Sequence, residues 1–136
     1  MNDPKTQGKA IEIKNLGRAF GDFWAVRQVD LSVNRGEIFG LVGPDGAGKT
    51  TVMRMAAGVL LPSEGDIVID GYSVVSDPER VKLRIGYMSQ RFGLYGDLTV
   101  LENLRFYGDL YEILDKERAA KEDKLLGFSN LTPFKD

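Results

Sequence analysis

Gly43-Pro44-Asp45-Gly46-Ala47-Gly48-Lys49-Thr50-Thr51 is the stretch on which this sequence turns. Its first eight residues fit G-x-x-x-x-G-K-[ST] at every fixed position, and the flanks that pattern needs are present. Ahead of it, Ile38-Phe39-Gly40-Leu41-Val42 is apolar on both faces, which predicts a buried parallel strand. Behind it, Thr50 to Ala57 reads as a helix closed by Gly58. Glycines let the backbone wrap an anion without Cβ clashes, so successive amides face a phosphate. The helix N-terminus adds about half a unit of positive charge at the same point. Lys49 is then placed to reach the β- and γ-phosphates of a nucleotide, and the Thr50 hydroxyl to ligate Mg²⁺. The bland alternative is a glycine-rich turn that happens to carry Lys-Thr, and a strand and a helix on its two sides argue against it.

The bulk properties narrow the chemistry. A chain of 136 residues is one domain long, and 43% apolar with 28% charged residues is ordinary for a globular protein, so disorder is not expected. A net charge of −2 supplies no basic field, and no nucleic-acid partner is expected. There is no cysteine, which excludes disulfides and thiolate metal sites. There is no histidine either, which removes the commonest general base and metal ligand. Chemistry must come from carboxylates, lysine, backbone amides or a bound ion. Residues 1–9 are polar and read as a flexible leader without the apolar core of a signal peptide. No stretch approaches the ~20 apolar residues that span a bilayer, so a cytoplasmic location is expected, with any membrane work done through a partner.

Working outward, residues 10–16 and 29–33 alternate apolar and polar, and Asn34-Arg35-Gly36 makes a turn, which together suggest an antiparallel sheet. Gly65 to Gly71 is a strand bracketed by glycines. Asp77-Pro78 starts a helix with aspartate as cap. Ile85-Gly86-Tyr87-Met88 is a further short buried strand. Thr99 and Glu102 have capping-box spacing, with Leu101, Leu104, Gly108, Tyr111 and Leu114 marking one helical face. A more charged helix follows from Lys116 to Leu126, closed by Gly127. The class is α/β.

The stretch 43–51 resembles the Walker A loop of ATP-binding-cassette (ABC) transporters, which usually carry asparagine where this chain has Asp45. Arg18-Ala19-Phe20-Gly21 is similar to the family's A-loop, where an aromatic stacks on adenine; Phe23 and Trp24 are near enough to serve instead. Gly58-Val59-Leu60-Leu61-Pro62-Ser63-Glu64-Gly65 resembles the turn after the P-loop helix, and Ile85-Gly86-Tyr87-Met88-Ser89-Gln90 the Q-loop strand. Leu98-Thr99-Val100-Leu101-Glu102-Asn103-Leu104 resembles the helix that follows. The resemblance runs from about Ala10 to the C-terminus, in the family's order, and is nearest to bacterial drug exporters. It implies a P-loop NTPase fold with an N-terminal antiparallel β-subdomain, plus the P-loop strand and helix and the Q-loop strand of an incomplete core sheet. It also implies ATP as substrate and Mg²⁺ held by Thr50 and Gln90. Residues 10–90 would be the ATP-binding core and 91–136 the start of a helical subdomain. The region from Gln90 to Leu104 would dock on a membrane-spanning subunit, peripheral to the inner membrane, and a second nucleotide-binding domain would complete a dimer. The region's aromatic loop Arg91-Phe92-Gly93-Leu94-Tyr95-Gly96 reads equally as that docking surface and as a local cluster covering the sheet.

Several family elements are missing from the 136 residues. No strand ends in Asp-Glu as a Walker B does, no Leu-Ser-Gly-Gly-Gln signature occurs, and no histidine can act as switch. Ile67-Val68-Ile69-Asp70 imitates Walker B, but Gly71 follows it, and a hairpin strand ending in an Asp-Gly turn accounts for it better. The chain alone is therefore expected to bind ATP without turning it over, as a truncated cassette whose two apolar strands lack partners and whose fold is marginal. The alternatives are a docking module without hydrolysis and a small P-loop enzyme such as a nucleotide kinase.

Overall fold

The structure, a computed structural model, describes residues 8–90 and 93–136. Most of the expected leader, and Arg91 and Phe92 of the expected docking loop, lie outside the described residues. The chain divides into two compact units, one ending at Met88 and the other running Ser89–Asp136.

The first unit is built on a long hairpin. Strand β1 (Lys9–Phe20) pairs antiparallel with β2 (Phe23–Asn34), and β3 (Glu64–Ile69) pairs with the other edge of β1. A two-residue β4 (Tyr72–Ser73) completes a sheet of order β2-β1-β3-β4. Both long strands outrun the alternating stretches that announced them. Asn15 (φ 46°) and Gln28 (φ 51°) take left-handed backbone where the β1–β2 register shifts. Such bulges insert a residue and change the phase of the pleat, so period-2 alternation breaks while pairing continues.

Helix α1 (Lys49–Ala56) and the short α2 (Pro78–Lys82) contribute to the core of this sheet. Met55 and Val52 from α1 and Val81 from α2 join Ile13, Leu16, Val26, Ile67, Ile69 and Val74 in one buried cluster. Met55, Leu16 and Ile67 are wholly buried. Burying each such side chain contributes about 1.5–3 kcal/mol. The link after α1 is tied to β1: Ser63 N donates to Gly17 O (2.8 Å) and Arg18 Nη1 to Leu61 O (2.9 Å).

Three expectations are corrected here. Residues 38–42 form no strand ladder, and Ile38 and Val42 are almost fully exposed (101% and 94%). Residues 85–88 likewise form no ladder, with Met88 94% exposed. Neither run pairs with a described strand, so the interstrand hydrogen bonds that define a ladder are not made. Asp77 occupies the N-cap of α2, but its carboxylate accepts from Ser76 Oγ (2.7 Å) and makes no cap bond to the helix.

The second unit is helical. Helix α3 (Val100–Leu110) begins with the expected capping box: Glu102 N donates to Thr99 Oγ1 (3.2 Å), and Thr99 N to Glu102 Oε2 (2.8 Å). Its buried positions are Asn103 and Gly108, whereas Tyr111 and Leu114, placed on the inner face by periodicity, are exposed. The helix ends at Leu110, with Glu112 left-handed (φ 53°), so those two residues leave the helical phase. Asn103 is buried because it is fully used. Its Oδ1 accepts from Tyr95 N, and its Nδ2 donates to the carbonyls of Tyr95, Leu98 and Thr99 at 3.0–3.1 Å.

Helix α4 (Asp115–Ser129) runs through Gly127 and stops at Asn130, correcting the expected glycine stop. Asn130 is left-handed (φ 56°), Leu131 N donates to Leu126 O (3.0 Å), and Asn130 N to Gly127 O (3.3 Å). That double closure satisfies the last carbonyls, and asparagine adopts it readily. Among the described residues no helix is long and apolar enough to cross a membrane.

Two outcomes follow. The bare run 38–42 should make the purified chain self-associate with rising concentration in analytical ultracentrifugation, and Ile38→Lys should shift it toward monomer. A monodisperse monomer with one cooperative melt would contradict this. Hydrogen bonding from the Thr99 amide and hydroxyl holds the Glu102 carboxyl below the usual glutamate range. With the folded value lowered, the stabilisation is complete above the ordinary glutamate pKa and fades as pH falls through the lower one. Thr99→Ala should cost about 1 kcal/mol at neutral pH, read as roughly five-fold faster amide exchange in α3.

Candidate functional site

The loop 43–51 is anchored beneath by the buried face of α1 and beside by β2. Gly48 is the N-cap of α1 with φ 82°, and a Cβ there would lie 2.4 Å from Ala25 O and 3.0 Å from Val26 Cγ2. Glycine is required twice over, by the backbone angle and by the strand passing against it. Val52 N donates to Gly48 O (3.0 Å), so the first turn of α1 grows directly out of the loop. No side chain caps α1, and its first amides remain free for an external acceptor.

Lys49 is half-buried and turned into the loop. Its Nζ donates to Gly43 O and to Pro44 O, both at 2.6 Å, and Ala47 N donates to Pro44 O (3.3 Å). The ammonium thus draws the start of the loop toward its end. Pro44, Asp45, Gly46, Ala47 and Thr50 are exposed, while Thr51 is half-buried. A cavity of about 270 Å³ opens beside Lys49, lined also by Ala25, Arg27, Val29, Leu41 and Val42. Cationic lysine, an uncapped helix start and left-handed glycines at 46 and 48 make a cradle suited to an anion with several oxygens. Among the described residues no group of three or more acidic side chains could hold a metal.

Phe20 stands at the end of β1 and pairs with Phe23 across the hairpin turn. It is 48% exposed, with the Arg18 guanidinium 4.7 Å from its ring centre. Phe23 is two residues along β2 from Ala25, about 7 Å at the strand rise, so the aromatic tip belongs to the same stretch of strand that flanks Gly48. Trp24 is committed elsewhere: its ring packs at Gly17, with Arg27 5.4 Å from its centre. Gln90 is exposed and belongs to the second unit. Sequence reading missed the Ala25 carbonyl as the wall behind Gly48 and the carbonyl partners of Lys49. Neither has a signature, because both are backbone groups.

The two loop glycines separate steric demand from backbone angle. Gly48→Ala should cost more than about 2 kcal/mol and abolish binding of a fluorescent ATP analogue. Gly46→Ala, at φ 79° with nothing within 4 Å of the added carbon, should cost only about 1 kcal/mol. Urea unfolding of both variants checks the order.

The family model described as "ABC transporter" matches residues 26–135. The chain is 42% identical over 115 residues to the probable multidrug ABC transporter ATP-binding protein YbhF of Escherichia coli, covering 85% of this chain and 20% of that protein. It is 44% identical over 120 residues to the ABC transporter ATP-binding protein NatA of Bacillus subtilis, covering 85% and 49%. A solved ATP-binding subunit of an ABC transporter superposes with a TM-score of 0.78 at 29% identity, over 93% of this chain and 52% of that one. The dimeric ATP-binding cassette MJ0796 bound to ADP and Pi gives 0.75 at 27%, over 92% and 60%. The chain thus spans between a fifth and about half the length of these curated relatives. With the loop, its helix and the antiparallel sheet in the arrangement of those solved cassettes, this chain belongs to the ABC transporter family.

Proposed function

We propose that this chain grips Mg-ATP at residues 43–51 and supplies the ATP-binding portion of a transporter ATPase that drives export through a membrane-spanning partner. The observation that carries this is the Lys49 cradle, with its ammonium at the mouth of an uncapped helix beside an open cavity. The triphosphate would take the place of the Gly43 and Pro44 carbonyls on Lys49 and accept from the amides of residues 46–51. Phe20 or Phe23 would stack on adenine, a contact that asks only for a ring face. Thr50 would offer one oxygen to Mg²⁺ and Gln90 another, the phosphates and water completing the shell. Bound there, Mg²⁺ would neutralise phosphate charge.

No strand in the sequence ends in the Asp-Glu pair that hydrolysis requires, so this chain by itself should hold ATP without cleaving it. The membrane subunit would meet the region from Gln90 to Leu104. Leu94 and Tyr95 are exposed there, and Asn103 pins the backbone of residues 95–99 to α3. A second nucleotide-binding domain would close over the phosphates, as the dimeric relative suggests. The chain would then work in the cytoplasm, against the inner membrane.

Titrating a fluorescent ATP analogue with Mg²⁺, while following phosphate release, tests the proposal. Saturable binding, lost in Lys49→Ala and without phosphate release, is expected. Release that depends on Lys49 would overturn the claim that this chain lacks turnover.

A further inference from the structure

One partly buried carboxylate near the sheet's end has no part in the nucleotide chemistry above. Asp70 (φ 51°) and Gly71 (φ 87°) form the two-residue β3–β4 turn, both left-handed as a type I′ turn demands. The Asp70 amide donates to Ala10 O (2.9 Å), fastening the turn to β1. Its side chain is 28% exposed, accepts a hydrogen bond from Arg35 Nη2, and lies 3.6 Å from Arg84 Nη1. The Arg84 guanidinium also stands 5.5 Å from the Tyr72 ring centre, with Arg80 at 5.4 Å. The Arg35 hydrogen bond and charge hold the Asp70 carboxyl below the usual aspartate range, so it is ionised throughout the neutral range.

The two arginines sit at informative places in the chain. Arg35 comes two residues before Glu37, where the run into the phosphate loop begins. Arg84 comes immediately before Ile85, where the run toward Gln90 begins. Neither run has a strand ladder to fix it. We propose that Asp70 is a positioning residue: its carboxylate, anchored to the antiparallel sheet, gathers Arg35 and Arg84 and so fixes the starts of the runs 37–43 and 85–88 that lead to the nucleotide site. This rests on the nucleotide reading above.

A simple turn role predicts something different. Asparagine suits the first position of a type I′ turn as well as aspartate does, so Asp70→Asn keeps the turn and removes only the charge. Arg35 and Arg84 then face one another without an anion and repel. Two effects on ATP have opposite signs. Removing a negative charge would tighten binding of an anion through the general field, whereas losing the brace would weaken it.

The test has two readouts in the same chain. With the fluorescent ATP analogue, Asp70→Asn should raise Kd roughly five-fold, and adding Arg84→Gln should recover part of the loss. Because the chain has no cysteine, spin labels at Ile38→Cys and Met88→Cys report the separation of the two runs directly. The distance distribution should be narrow in the otherwise native chain and broader with Asp70→Asn. Unchanged or tighter nucleotide binding with an unchanged distribution would overturn the proposal. If the native chain binds no analogue, the nucleotide reading fails, and the spin-label distribution alone decides whether Asp70 positions the two runs. Circular dichroism confirms that each variant retains the fold.

Discussion

The burial of Val52 and Met55 against the antiparallel sheet is the interaction on which the rest depends. Both lie on the inner face of α1, and with Leu16 and Ile67 they close the core of the first unit. The helix cannot shift without opening that core, at a cost of several kcal/mol for a group the size of Met55. The phosphate loop is the N-terminal extension of the same helix, and Gly48 is pressed against the backbone of Ala25. Apolar packing below and a strand beside therefore hold in place a loop whose own residues are mostly exposed. A polar, glycine-rich loop could not be ordered by its own contacts, and here it does not need to be.

The loop, its helix and the capping box of α3 were legible because each depends on local rules: fixed glycine spacing, helical periodicity, and a Thr-Glu pair three apart. The runs 38–42 and 85–88 were legible in character but not in outcome. Their apolar composition reports what they are suited to pair with, while pairing itself depends on neighbours no window can contain. The part of β1 beyond Asn15 and the part of β2 before Gln28 were hidden because a bulge erases the alternation by which a strand is recognised. Asn103 was hidden for the opposite reason. A polar residue on a helix reads as solvent-facing, and only the folded loop brings Tyr95, Leu98 and Thr99 around it.

The two units use contrasting means to hold irregular backbone. In the first, charged side chains tie turns to the sheet: Arg18 reaches Leu61 O, and Asp70 meets Arg35 and Arg84. In the second, one neutral amide does comparable work, meeting the backbone of residues 95–99 four times from a buried position. Ionic ties at a partly exposed site weaken with salt, while buried amide bonds do not.

Lys49 carries a consequence for how substitutions at such loops are interpreted. Its ammonium is already ligated by Gly43 and Pro44, so phosphate arrives as a competitor and binding is an exchange of ligands. Measured affinity then reports a difference between two sets of contacts to the same cation, each charge-assisted and short. Removing the lysine deletes both sets at once: the phosphate loses its cation, and the loop loses the clasp that keeps its two ends together. Part of any loss on Lys49→Ala is a relaxed loop, and a substitution that keeps the clasp while blunting the charge would divide the two.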